Sequence, residues 1–144
     1  PKKLDPNEHY RYIDQGRQEF TYRLVPHNGS WRDAGVPQLG HELNVPFAAV
    51  VESNHGGSAP TSWSLLTVSA PNVLISALKR AEDNHGTIVR LYEAYGTPTV
   101  CHFAWLGGAC RWQAEFRPFE IKTFLVNDGE TPDVTVVDLM EKPV

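Results

Sequence analysis

"NVLISALKRAE", residues 72–82, decides the fold, because it reads two ways. Val73, Leu74, Ala77, Leu78 and Ala81 match the i, i+3, i+4 face of a helix. Ile75, Ala77 and Lys79 match the alternation of a strand, less cleanly. Periodicity taken alone favours the helix.

On either side, strand signals dominate. Alternating or β-branched runs fall at Gln18 to Val25, Phe47 to Val51, Ser62 to Val68 and Thr87 to Tyr95. More follow at Val100 to Leu106, Arg111 to Phe116, Ile121 to Val126 and Val134 to Leu139. Gly, Pro, Asn and Asp clusters separate them, as in a β-sandwich or barrel. Gly107-Gly108 marks a hairpin that sets Cys110 opposite Trp105 and Cys101 opposite Ala114. That register keeps the sulfurs apart, so two free, half-buried thiols are expected. Ser30, with Asp33 three residues on, resembles a loose capping box. Gly35, Pro37 and Gly40 then restrict residues 30–43 to a short helical turn.

The chain has 144 residues, 41% hydrophobic, which suits one domain with a true core. A net charge of −4 with no basic stripe argues against nucleic-acid binding. No apolar run reaches the length of a membrane helix. Residue 1 is proline and the only methionine is Met140, so the chain is expected to be a piece of a longer protein. Residues 1–16 read as a linker or approach segment, and 17–144 as a single sandwich domain.

No self-contained catalytic constellation emerges. The six histidines lack metal-ligand spacing, and no metal site is expected. Cys101 and His102 are strand neighbours and point to opposite faces. "HGGS", 55–58, lacks the G-x-S-x-G elbow that would make it an esterase signal. Glu93, in "RLYEAYG", is either a structural partner or a ligand contact. Trp63, Trp105 and Trp112 form either a sugar-stacking row or core filling.

Three phrases resemble the C-terminal part of the α-mannosidases of glycoside hydrolase family 38. They are "DQGRQEFTYRLVPHNGSWRDAGVPQLGHELNVP" at 14–46, "SLLTVSAPNVLISALKRAEDNHGTIVRLYEAYG" at 64–96 and "RPFEIKTFLV" at 117–126. The resemblance implies an all-β, antiparallel sandwich, and it turns Val73 to Lys79 from helix into strand, with Glu82 to Gly86 as the hairpin connection. One feature departs from the family pattern: "DLMEKP", 138–143, stands after the "EIKTF" strand rather than before it, which implies rearranged or diverged last strands.

The resemblance also implies a role. The chain would be the accessory C-terminal part of an enzyme that hydrolyses terminal α-mannose. The nucleophile and zinc would lie in an absent N-terminal catalytic domain, and no cofactor in this chain. A retaining mechanism there uses two carboxyls roughly 5 Å apart. The chain alone would be inactive. His27, Trp31, Arg90 and Glu93 are the candidates for contact with the sugar cleft or the catalytic domain. Expected partners are that domain and a mannose-containing glycan, with a homo-oligomer possible. The free thiols suit a cytoplasmic location. The rival reading is a free-standing carbohydrate-binding module.

Overall fold

The computed structural model describes residues 5–9 and 16–144. Most of the linker expected over 1–16 therefore lies outside the described residues. The chain divides into two compact units, Pro1–Pro46 and Phe47–Val144.

The first unit holds one helix, α1 (Val36–Asn44). Its start differs from the expected Ser30. The Ser30 hydroxyl and amide both donate to Asp33 Oδ2, at 2.8 and 2.9 Å, and so close the turn that precedes the helix. Gly35, at φ 62°, is the N-cap. Pro37 sits in the first turn, where its missing N–H costs no helical bond. A breaker read from sequence thus becomes a starter.

The second unit holds seven strands: β1 (Leu66–Val68), β2 (Val73–Arg80), β3 (Thr87–Glu93), β4 (Thr99–Trp105), β5 (Cys110–Phe116), β6 (Ile121–Val126) and β7 (Val134–Val137). They form two antiparallel sheets, ordered β1-β4-β5 and β2-β3-β6-β7. This is the all-β sandwich that the resemblance implied. No described residue before Leu66 forms a strand, so those expected at 18–25 and 47–51 are absent and that at 62–68 is reduced to β1. Alternation supplies a strand's side chains but not the neighbour its N–H and C=O groups need. Phe20 and Leu24 are each 83% exposed.

The quoted stretch is a strand with an extra residue. β2 pairs regularly with β3 except between Ile75 and Ala77, where Ser76 bulges out. The bulge switches faces, so Val73 and Ile75 share a side with Leu78, opposite Glu93, Leu91 and Val89. The set at helical spacing is thereby split between faces: Val73 and Leu78 lie opposite Glu93 and Val89, Leu74 and Ala77 opposite Tyr92 and Arg90. The β2–β3 turn closes with Ala81 N–H on the Gly86 carbonyl at 3.0 Å, as the hairpin reading required.

Between the sheets lie Leu66, Val73, Val89, Leu91, Cys101, Phe103, Trp105, Phe116, Phe124 and Val126. Phe103 is its aromatic centre, 5.0 Å from the Trp112 ring and 5.9 Å from that of Phe124. A second cluster, Ala81, Ile88 and Val137 with Leu125, lies on the outer face of the four-stranded sheet. The C-terminal tail, 138–144, returns to this sheet. It bridges Val137 through Pro143 and sends the Glu141 carboxylate to Lys79 at 2.7 Å and to the Glu82 amide at 2.8 Å. Both cysteines are free, Cys101 buried and Cys110 half-buried. Burial, and then Asp133, push the Cys110 thiol above its ordinary pKa.

Candidate functional site

The four residues singled out from sequence are divided between the units. His27 and Trp31 belong to the first, Arg90 and Glu93 to the second.

His27 is exposed, and Trp31 is half-exposed with the Arg32 guanidinium 4.4 Å from its ring centre. They flank Asp33, whose pKa is lowered by the Ser30 amide, then the Ser30 hydroxyl, against a small burial penalty, with help from the charges of His27 and Arg32. The corner is a hydrogen-bonded turn with a charged knuckle.

Arg90 and Glu93 sit on opposite faces of β3, as their parity requires. Arg90 is half-buried on the outer face, with Nε donating to Thr123 Oγ1 at 3.1 Å and an η nitrogen to the Leu139 carbonyl at 3.2 Å. It ties the returning tail to the sheet. A shallow groove beside it is lined by Lys79, Glu82, Leu139, Met140 and Glu141.

Glu93 is fully buried. Its Oε1 accepts from Asn72 Nδ2 at 2.9 Å and the Tyr95 amide at 2.7 Å. Its Oε2 accepts from the amides of Gly96 at 2.7 Å, Phe119 at 3.0 Å and Thr97 at 3.2 Å. Burial raises its pKa, but the Phe119, Asn72, Tyr95 and Gly96 donors together outweigh that penalty, and the pKa falls below the ordinary glutamate value. Asn72 also donates to Thr99 Oγ1 at 2.6 Å, at the first residue of β4. One carboxylate thus joins the start of β2, the end of β3, the crossover into β4 and the turn before β6. Sequence reasoning had weighed Glu93 as an ion pair, a cross-strand partner or a ligand contact. The structure makes it a buried anion held by the Asn72 side chain and four main-chain amides. Asn72 and Phe119 had gone unnoticed; the one signal was a polar Asn directly before an apolar strand.

Two of the three tryptophans proposed as a sugar platform are core residues. Trp105 is 5% exposed and Trp112 packs on Phe103, while Trp63 alone is open, at 61%. Among the described residues, no group of three or more His, Cys, Asp or Glu side chains could hold a metal ion. No helix among them is long and apolar enough to cross a membrane.

Fold and site together define an all-β sandwich whose buried polar chemistry is spent on its own backbone. Residues 72–110, which run from Asn72 through β2, β3 and β4, match the family described as the glycosyl hydrolases family 38 C-terminal beta sandwich domain. Among curated proteins, the chain is similar to alpha-mannosidase 2C1 of Homo sapiens, 43% identical over 91 residues, which is 61% of this chain and 9% of that protein. The Mus musculus alpha-mannosidase 2C1 is 46% identical over 92 residues, again 61% and 9%. Alpha-mannosidase G of Dictyostelium discoideum is 30% identical over 92 residues, 62% and 8%. The chain thus spans about a tenth of the length of the relatives it matches. No solved structure matches it.

Proposed function

We propose that this chain is the accessory C-terminal part of an α-mannosidase that removes terminal α-linked mannose. Its sandwich supports a catalytic domain that is not in this sequence. The observation carrying the reading is the match over 72–110, because that segment contains both Asn72 and Glu93 and so includes the clip that fixes the β3–β4 crossover. A domain that spends its buried carboxylate on main-chain amides is built to hold shape. The retaining chemistry, the nucleophile and the zinc belong to the absent domain in this reading. His27 and Trp31 are the accessible candidates for contact with that domain or the sugar cleft, and Arg90 acts by holding the tail. The free thiols favour a reducing, cytoplasmic setting.

A free-standing sugar-binding module is the weaker reading, since Trp105 and Trp112 are packed inside. The test is a titration of the folded chain with mannose and α-mannobiose, followed by NMR amide shifts. No shift up to tens of millimolar sugar is the expected result. Saturable shifts around Trp63, or turnover of a chromogenic α-mannoside by this chain alone, would overturn the accessory reading.

A further inference from the structure

The sandwich has four outer strand edges, and three of them are protected against pairing with another chain. β1 is three residues long. β2 is broken by the bulge at Ser76 and ends in Lys79-Arg80. β7 is covered by the chain's own tail, through the Val137–Pro143 bridge and the Val144 amide on the Val136 carbonyl at 3.3 Å. The fourth, β5, is seven residues long, "CRWQAEF", in unbroken register with β4 and free of Pro and Gly. Among the described residues, no strand pairs with its other side.

The hydrogen bonding shows which β5 groups point outward. The Ser69 amide donates to the His102 carbonyl at 3.0 Å, and the Leu106 amide to that of Leu65 at 2.8 Å. Even-numbered residues of β4 therefore bond toward β1, and odd-numbered ones toward β5. The β5 partners of Cys101, Phe103 and Trp105 are Ala114, Trp112 and Cys110, and these spend their main-chain groups on β4. The N–H and C=O groups of Arg111, Gln113 and Glu115 are left facing outward. Their side chains are exposed, while Cys110, Trp112 and Ala114 remain half-covered. Neither Arg111 nor Glu115 has an ion-pair partner among the described residues.

We propose that this edge is a self-pairing surface, on which β5 joins β5 of a second copy, antiparallel, about a twofold axis at Gln113. Strand chemistry fits this one occupant because the sequence is complementary to itself about that residue. Arg111 then faces Glu115 of the other copy, twice over, and Gln113 faces Gln113. On the inner face Trp112 meets Ala114, large against small, and Cys110 meets Phe116. The residues brought opposite on the outer face are those with outward main-chain groups, so each such pair exchanges two main-chain bonds. The result is one continuous six-stranded sheet of the order β1-β4-β5-β5-β4-β1. A single strand edge is smaller than a standard interface, so the dimer is concentration-dependent. The proposal is independent of the mannosidase reading.

Sedimentation velocity of the full 144-residue chain under reducing conditions, across a concentration series, tests it. The wild type should shift from monomer to dimer. Glu115→Arg sets arginine against arginine and should weaken the dimer at least tenfold, and the double swap R111E/E115R should restore it. Gln113→Pro removes one outward N–H without touching the β4 ladder and should give a monomer with unchanged near-ultraviolet circular dichroism. Gln113→Cys should yield a disulfide dimer on a non-reducing gel well above the wild-type baseline. A wild type that stays monomeric to its solubility limit overturns the proposal. So does a dimer that persists in both Q113P and E115R.

Discussion

At the scale of one residue, Glu93 shows how a charge is kept inside an apolar core. The strand places it on the core-facing side, and removing a carboxylate from water is costly. Five donors replace the lost water, four of them amides that the β3–β4 crossover and the β6 approach would otherwise leave unpaired. Glu93→Gln keeps the size but turns an NH₂ toward N–H donors. It should lower stability by about 3 kcal/mol in urea unfolding, the range for a broken buried charge-assisted network. The pH dependence has a definite sign. Because the folded pKa lies below the ordinary value, the contribution is whole above the unfolded-state pKa and is lost as pH falls through the folded one. The wild type should begin to lose stability once pH drops below the ordinary glutamate range, and E93Q should show a flatter acid limb over the same interval.

At the scale of elements, turns and the tail carry constraints the strands do not. Gly86 stands at φ 141°, and a β-carbon there would meet the Val126 carbonyl oxygen at 2.5 Å, so the obstacle is backbone. Gly86→Ala should cost about 2 kcal/mol or more and speed unfolding, measurable in a denaturant melt. Met140 and Glu141 of the tail line a small cavity with Ala81, Ile88 and Leu125, and Pro143 bridges the β7 edge. Ending the chain after Val137 should lower the thermal midpoint by about 5 °C. It should also raise light scattering on heating, because an uncovered edge pairs with other chains.

At the scale of the whole molecule, stability rests on aromatic packing between two sheets that the chain visits alternately. Phe103 touches both layers through Trp112, Phe116 and Phe124. Phe103→Ala should cost about 3–5 kcal/mol in urea unfolding, and amide exchange should accelerate across both sheets together rather than in one.

The sequence by itself determined the strand positions from Thr87 onward, the hairpin register of Cys110 with Trp105, the free thiols and the resemblance to the family whose model matches 72–110. These follow from local alternation, turn residues and short-range pairing. It left 72–82 ambiguous, because Val73, Leu74, Ala77, Leu78 and Ala81 fall at helical spacing along the chain although the strand divides them between both faces of the sheet; resemblance, and then the ladder with β3, resolved it. It also overstated the strands before Leu66, since alternation there has no partner in the described residues. Tertiary structure alone decided the fate of Glu93, because its donors come from positions up to 26 residues away and four are backbone amides that no side-chain pattern records. It alone showed that Arg90 and Glu93 serve different faces, and that the tail closes one sheet edge while β5 stays open. Such facts depend on which surfaces meet, and only the folded chain sets those distances.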